Sequence, residues 1–295
     1  MIPELRRDPL SGRWVALAPW RLERPGAIRQ TLEPESEEER EACPFDGGRE
    51  EKTPPETFAI GPAGREPDTP GWTVRVVPNK YPAFEHHEVV VHTPRHVRMF
   101  GELTATEVDD VAAAWQARAD AAREAGFAYL QAVINEGRAA GGSLAHTHSQ
   151  LVWLPEPPPL VQAEPTGDCP VCALLGTSER IAERDGVLLV SPFAARGAYE
   201  LLITPEEHTG DAFANTRLLT AALGLLASGE QRITAVEGLL PTNAWVHTAR
   251  FGAAGHWHIE VLPRVSAIAS LELGAGIWIN SLAPEVAAER LREAG

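Results

Sequence analysis

The sequence predicts an α+β fold made of two duplicated halves, each built on a mainly antiparallel sheet. The duplication is indicated by a motif, HTHSQ at residues 146–150, which nearly recurs as HWHIE at residues 256–260. Strand-like segments are not separated by enough helices for a wound parallel sheet, which favours antiparallel pairing. In both halves a cysteine and a histidine precede the motif in the same order, first Cys43 and His96 and then Cys169 and His208.

Each element of this fold has a local signal. Thr104 and Glu107 form a capping-box pattern, and Gly126 closes the helix of about five turns that follows. The second half has a helical pattern near residues 216–236, and a last helix is predicted at 284–293. Residues 33–42 and 62–70 are predicted to be solvated loops. The predicted strands are FAYLQAVIN and SLAHTHSQLVWL in the first half, and VLLVS, YELLIT, NAWVHTA and HWHIEVLP in the second.

Length and composition agree with two fused modules. A chain of 295 residues with 44% hydrophobic content can bury two cores of ordinary size. The proline-rich stretch from Pro155 to Pro165 is the predicted boundary, because such stretches connect domains more often than they form part of one. We therefore expect domains at residues 1–158 and 159–295.

The charge of the chain limits its partners. A net charge of −15 argues against broad binding to nucleic acid or to a membrane surface. No apolar run reaches transmembrane length, and the N-terminal segment has no signal-peptide core, so we expect a cytoplasmic protein. Lys52 and Lys80 are the only lysines, so arginine forks are the expected contacts to any phosphate.

Histidine and cysteine spacing predicts two metal sites. The Cys-x-x-Cys knuckle with two later histidines is a zinc signature, and four protein ligands leave no open position, so this zinc would be structural. The alternative is a pair of reduced buried cysteines. The equivalent first-half set replaces one thiolate with a carboxylate, which can bind zinc but should weaken the site. The two sets are Cys169, Cys172, His208 and His256, and Cys43, Asp46, His96 and His146.

The motif itself indicates an active site. Side chains alternate along a strand, so two imidazoles and one amide or carboxylate of each copy should project to the same side. Imidazole can attack phosphorus and leave again near neutral pH, as nucleotidyl transfer requires.

Seven ordered segments then carry a family resemblance that covers nearly the whole chain. They resemble galactose-1-phosphate uridylyltransferases, the transferase branch of the histidine-triad superfamily, and imply two tandem histidine-triad-like domains of which the first is catalytic. The family commonly has cysteine where Asp46 stands. The segments are DPLSGRWVALAPWRLERP, CPFDGG, TVRVVPNKYPAF, HEVVVHTPRH, INEGRAAGGSLAHTHSQ, CPVC and GHWHIEVLPR.

The resemblance also implies roles for individual residues. His148 would be the nucleophile and Gln150 would bind phosphoryl oxygens of the covalent intermediate. The second copy, with Glu260 in place of glutamine, would not be catalytic, and His258 would be structural or a sugar-side contact. Arg21 and Arg24 match arginines that the neighbouring subunit supplies, which implies a homodimer. The remaining implied substrate contacts are Ser143, Gly141 and Gly142 at phosphate, Asn79 and Asn135 near the nucleotide, and Glu272 and Asn280 at the sugar.

Three functions are compatible with these residues. The first is a nucleotidylyltransferase that moves a nucleoside monophosphate, UMP above all, between sugar 1-phosphates through His148, with an NDP-sugar and a sugar 1-phosphate as substrates. The second is an NDP-sugar phosphorylase or hydrolase that uses the same histidine. The third is a zinc-stabilised nucleotide-binding module without turnover, which an intact nucleophile and Gln150 argue against.

Overall fold

A computed structural model describes residues 2–23, 30–164 and 167–295. Thirteen strands and seven α-helices are present in these ranges. No helix in the described part of the chain is long and apolar enough to cross a membrane. The strands are β1 (Glu4–Arg7), β2 (Trp14–Leu17), β3 (Phe58–Ile60), β4 (Val74–Pro78), β5 (His87–Val91), β6 (Tyr129–Glu136), β7 (His148–Leu154), β8 (Glu179–Arg184), β9 (Val187–Ser191), β10 (Leu201–Pro205), β11 (Thr242–His247), β12 (His258–Pro263) and β13 (Ile277–Asn280). The helices are α1 (Glu37–Ala42), α2 (Ala105–Glu124), α3 (Pro159–Gln162), α4 (Pro170–Leu175), α5 (Thr216–Glu237), α6 (Ser270–Ala275) and α7 (Pro284–Glu293).

Ten of the strands form one antiparallel sheet that runs through both halves. Its order is β3-β4-β5-β7-β6-β11-β12-β10-β9-β8. The five strands of the first half follow the order β3-β4-β5-β7-β6 from one edge, and those of the second half follow the equivalent order β8-β9-β10-β12-β11 from the other edge. The halves meet where β6 pairs with β11, with Asn135 opposite Asn243. The predicted α+β fold with internal duplication is therefore confirmed. The division at residues 158 and 159 stays a prediction.

A second, three-stranded sheet joins the two ends of the chain. Strand β2 pairs with β1 in antiparallel and with β13 in parallel orientation. Val15 and Leu17 of β2 pack with Ala194 of the second half in a small buried cluster. The N-terminal segment is thereby held against the second half.

The three longest helices, α2, α5 and α7, cover one face of the large sheet, here called the helix face, whereas α4 packs on the opposite face. Thr104 and Glu107 form the predicted capping box of α2, and Gly126, with a φ of 86°, follows its end. Helix α5 buries Leu219, Leu223 and other apolar residues along one side and packs against α2. Each fully buried leucine contributes about 1.5–3 kcal/mol of transfer free energy, which is enough to fix helices of this length on the sheet.

Two local predictions were wrong. Strand β7 begins at His148, five residues later than predicted, because the preceding residues form a bend and a turn. Part of the predicted loop at 33–42 is helix α1, whose capping box joins Ser36 and Glu39. Its side chains are all at least partly exposed, so capping rather than burial accounts for this short helix.

Candidate functional site

His148 stands at the first position of β7 with its ring buried. Its Nδ1 lies 2.7 Å from the carbonyl oxygen of His146, which can only accept, so Nδ1 carries the proton. The Nε2 lone pair is therefore available to attack. Burial lowers the pKa of His148, which keeps the imidazole neutral and nucleophilic near pH 7. The Phe45 ring packs against the His148 ring in an edge-to-face arrangement, with the two centroids 5.2 Å apart, and restricts its orientation.

Gln150 lies two residues further along β7, on the same face as His148, here called the site face. His87 of the neighbouring strand β5 holds its amide. Ala83 N–H donates to His87 Nδ1 at 3.1 Å, so Nε2 carries the proton and donates to Gln150 Oε1 at 2.8 Å. The Gln150 amide N–H groups are thus directed away from His87, where they can donate to a phosphoryl oxygen.

Three asparagines lie around these residues. Asn135 of β6 is beside His148 in the sheet, and its Oδ1 accepts a 2.7 Å hydrogen bond from Asn243 of the second half. Asn79 accepts from Tyr81 N, and its amide nitrogen is 3.2 Å from His87 Nε2. The structure therefore brings both predicted nucleotide contacts, Asn79 and Asn135, to the surroundings of the His148 and Gln150 pair.

The glycine turn ahead of β7 has a different role from the predicted one. Gly141 N–H donates to Arg138 O and Gly142 N–H to Gly137 O, so neither amide is free for an anion. A Cβ at Gly142 would lie 2.7 Å from Asn135 O, so only glycine fits there. We conclude that the two glycines shape the turn. Ser143 is exposed on a cleft beside it, and its contact to phosphate stays a prediction.

The first-half metal set is assembled. His96 Nδ1 lies 2.8 Å and His146 Nδ1 3.2 Å from Asp46 Oδ1, and Cys43 Sγ is 3.5 Å from His146 Nδ1. Each histidine donates its other ring proton away from this centre, His146 Nε2 to Thr93 O at 2.9 Å and His96 Nε2 to Glu35 at 3.0 Å. Both Nδ1 lone pairs therefore point inward, as metal ligands must.

The pKa values in this set show what a metal would change. Burial raises the pKa of the Cys43 thiol to about 11 and lowers that of His146 to about 4. Without a cation the buried thiol stays protonated. Zinc would favour the thiolate and would be held by these four donors without a vacant position.

The second-half set is assembled in the same way. His256 Nδ1 lies 3.5 Å from Cys169 Sγ and 3.4 Å from Cys172 Sγ, and its Nε2 donates to Pro205 O at 2.9 Å. The His208 ring stacks on His256, and the four ligand atoms lie within 4.8 Å of one another. Tetrahedral zinc separates its donors by about 3.5 Å, so both four-residue sets fit this ion.

The second copy of the motif is arranged for charge pairing. Glu260 accepts hydrogen bonds from Arg196 and, at 3.2 Å, from Trp245 Nε1, and it pairs with His247 Nε2 at 3.1 Å. Burial opposes ionisation of Glu260, but Arg196 and the histidines outweigh it and hold its pKa well below the ordinary range. A fixed carboxylate thus occupies the position of Gln150, which supports the absence of catalysis in this half.

His258 is also engaged. It is buried, and its ring stacks on His247 with centroids 4.8 Å apart. Ligand atoms of Glu164, His247 and His258 lie within 4.8 Å of one another, so this group is a third that could hold a metal ion. The packing supports the structural role predicted for His258.

The predicted sugar segment is only partly available. Asn280 is buried, its Nδ2 donates to Ala195 O at 3.0 Å, and its Oδ1 accepts from Leu282 N at 2.9 Å. Because the fold uses both ends of this amide, the structure argues against the predicted sugar contact at Asn280. Glu272 accepts from Ala269 N, which caps α6, and lines a small surface pocket with Arg264 and Trp278.

The two N-terminal arginines are not placed beside His148 by any observed contact. Arg21 lies in a short 3-10 turn, and its guanidinium has no hydrogen bond or ion pair with the described residues. Arg24 lies outside the described residues. A composite site between two subunits stays a prediction.

Two residues of the site, His87 and Glu35, were not predicted from the sequence. His87 fixes the Gln150 amide, and its signal was the strand-like run HEVVV, which pairs with β7 so that His87 and Gln150 share a face. Glu35 supports the metal ligand His96 from a segment predicted to be a loop. The contact between Glu35 and His96 could not be predicted from sequence spacing, since 61 positions separate the two residues.

Comparisons with known proteins agree with this geometry. Residues 81–158 match the family model of the galactose-1-phosphate uridyl transferase N-terminal domain. An ADP-glucose phosphorylase of Arabidopsis thaliana is 30% identical over 331 residues, which cover 99% of this chain and 93% of the relative. A galactose-1-phosphate uridylyltransferase of Thermotoga maritima is 26% identical over 325 residues, which cover 98% of each chain.

Solved structures give the same result. The crystal structure of an ADP-glucose phosphorylase from Arabidopsis thaliana with bound ADP-glucose superposes with a TM-score of 0.84 at 28% identity, over 99% of both chains. A uridylyltransferase structure superposes with a TM-score of 0.73 at 25% identity, over 99% of this chain and 98% of that one. Both relatives are nucleotidyl-transferring enzymes that match this chain from end to end. The chain belongs to the galactose-1-phosphate uridylyltransferase family.

Proposed function

We propose that this protein is a nucleotidyltransferase that carries a nucleoside monophosphate on His148 during transfer from an NDP-sugar to a second phosphate. The observation that carries the proposal is the proton arrangement of the site. His148 keeps its proton on Nδ1 and leaves the Nε2 lone pair unprotonated, while His87 holds Gln150 Oε1, so that the amide N–H groups of Gln150 point away from His87 on the same face. A nucleophile with a hydrogen-bond donor on the same face is suited to attack on a phosphoanhydride.

The reaction then has two balanced steps. In the first, Nε2 of His148 attacks the α-phosphorus, the P–N bond forms, and the P–O bond to the sugar 1-phosphate breaks with its electron pair on the leaving oxygen. The Nδ1–H hydrogen bond to His146 O stabilises the positive charge that develops on the ring. In the second, an oxygen of the acceptor phosphate attacks the same phosphorus, and the P–N bond breaks.

Between the two acceptor classes, the relatives favour inorganic phosphate and ADP-glucose as the substrates. The ADP-glucose phosphorylase matches over the whole chain with the higher identity, and its structure superposes with the higher TM-score. Exchange of UMP between hexose 1-phosphates is the second candidate, supported by the Thermotoga maritima relative.

Zinc and a homodimer complete the proposal. One zinc would connect the start of the second half to the residues ahead of β12, held by Cys169, Cys172, His208 and His256. A second zinc in the first-half set would connect Cys43 and Asp46 to the residues ahead of β7. The guanidinium of Arg21, which is unpaired among the residues that the structure describes, would reach substrate phosphate across a subunit boundary. Neither zinc enters the chemical steps.

Product analysis tests the proposal. The protein is incubated with ADP-glucose or UDP-glucose, each with phosphate or with galactose 1-phosphate, and the products are separated by anion-exchange chromatography. Phosphorolysis of ADP-glucose to ADP and glucose 1-phosphate is the expected dominant reaction. Formation of UDP-galactose alone would favour the second candidate, and the absence of nucleotidyl transfer with every pair would refute the enzyme class.

A further inference from the structure

Two carboxyl groups are buried against each other on the helix face, behind the nucleophile. Glu136 ends β6 in the first half, and Glu230 lies in the middle of α5 in the second half. Both are at least 95% buried, and the consecutive backbone amides of Phe100 and Gly101 each donate to one of them. Two ionised carboxylates side by side in a buried site repel each other, so this placement favours one proton held between the two groups.

The other oxygens of the pair are bound to the backbone. Glu136 Oε1 accepts from Phe100 N at 2.7 Å, and Glu230 Oε2 accepts from Gly101 N at 2.7 Å. The remaining oxygens, Glu136 Oε2 and Glu230 Oε1, are buried without a hydrogen-bond partner among the described residues, so each can take part in sharing a proton. A Cβ at Gly101 would lie only 3.0 Å from Glu230 Cβ, so glycine permits this close approach.

The pair reaches the nucleophile through Thr147. Thr147 Oγ1 donates to Glu136 Oε1 at 2.7 Å and accepts from His92 Nδ1 at 3.0 Å. Thr147 stands between His146 and His148 in the chain, and its own N–H donates to Val97 O at 2.8 Å. The side chain of Thr147, which lies on the helix face, therefore fixes the backbone next to the nucleophile.

We infer that Glu136 and Glu230 share one proton and act as positioning residues that hold Thr147, and through it the His148 backbone, in place for nucleotidyl transfer. The inference rests on the proposed function of His148. Burial raises the pKa of both acids, as a retained proton requires. The other titratable neighbours on this face are Glu102, whose charge also favours protonation of Glu230, and His92, which burial keeps neutral.

Three substitutions test the inference. Glu136→Gln preserves the arrangement, because its amide can donate to Glu230 and its oxygen can accept from Thr147. Glu136→Val removes the arrangement, and Thr147→Val removes only the link to the nucleophile. Ser149→Ala is the matched control, since Ser149 lies on the helix face of β7 and accepts a buried hydrogen bond from Trp115 Nε1 at 2.9 Å, apart from the pair.

The rate of adduct formation at saturating NDP-sugar separates positioning from stability. Glu136→Val and Thr147→Val are expected to lower it by about tenfold or more, with KM changed less than about threefold, because small misplacement of a reacting group is costly. Glu136→Gln and Ser149→Ala are expected to stay near the wild-type rate. Melting temperature confirms folding, and Thr147→Val decides the result if Glu136→Val does not fold. A wild-type rate in Thr147→Val would overturn the positioning role.

Infrared spectroscopy tests the shared proton independently of activity. The wild type is expected to show a carboxylic acid carbonyl band at pH 7.5 that both Glu136→Gln and Glu230→Gln remove. Absence of that band in the wild type would overturn the shared proton. If the wild type forms no adduct with any NDP-sugar, the proposed function fails, whereas the band still decides the state of the pair.

Discussion

Replacing Gln150 with glutamate should convert the first site into a copy of the second. Gln150→Glu changes one amide into a carboxylate of nearly equal size, as in Glu260 of the other half. In the second half the carboxylate is neutralised by Arg196 and His247, whereas His87 is the one side chain among the described residues that bonds to the equivalent oxygen in the first half. The new charge would therefore face the substrate phosphate with little compensation.

The magnitude follows from Coulomb's law. Two unit charges about 4 Å apart repel by about 4 kcal/mol at an effective dielectric constant of about 20, which corresponds to about a thousandfold in rate. The hydrogen bond from His87 Nε2, 2.8 Å from the new oxygen, would offset part of this repulsion. We therefore expect Gln150→Glu to slow adduct formation between about 10-fold and 1000-fold.

Single-turnover kinetics with a labelled NDP-sugar measures this effect. Gln131→Glu is the matched control. Gln131 lies on the site face of β6, opposite Val152, so this substitution adds the same charge further from His148. It should leave the rate within about threefold of wild type, since the repulsion falls with distance and is screened. A normal rate in Gln150→Glu, with the control also unaffected, would show that Gln150 does not contact the reacting phosphate.

Three further predictions concern zinc, assembly and pH. Cys172→Ser should lose about one equivalent of zinc and melt about 10 °C lower or more, as metal analysis and calorimetry would show; unchanged zinc and melting would contradict the structural site. Mixing Arg21→Ala with His148→Ala protein should restore up to about a quarter of the sites through hybrid dimers, and no rescue after verified subunit exchange would exclude composite sites. The Arg95 guanidinium lowers the pKa of Glu107 from 4.5 to about 2. This contribution to stability is present above pH 4.5 and is lost as the pH falls toward 2, so Glu107→Gln should flatten acid unfolding in that range; an unchanged acid profile would refute it.

The sequence was sufficient for features that are local or repeated. The capping box of α2 was predicted because Thr104 and Glu107 are three residues apart, and the antiparallel duplication because the motif spacing recurs. The two four-residue metal sets were predicted for the same reason. In each set the spacing of a knuckle and two histidines is a property of one half, and the fold brings its ligand atoms together.

Features that depend on distant partners could not be predicted. His87 was missed because its contact with Gln150 depends on the register of β5 against β7. Glu230 was missed because it meets Glu136 only when the two halves pack together. Gly141 and Gly142 were assigned to anion binding, although their amides close the turn, because a glycine pattern does not show which carbonyl an amide meets.

Peptide mapping of the covalent intermediate tests the central claim most directly. The wild type is incubated with labelled ADP-glucose and UDP-glucose without acceptor, quenched in base and digested, because a phosphoramidate survives base and hydrolyses in acid. The label is expected on His148, to be absent from His148→Ala protein of normal fold and zinc content, and to persist in His258→Ala. Label on His258, or continued labelling of His148→Ala, would contradict the assignment of the nucleophile to the first half.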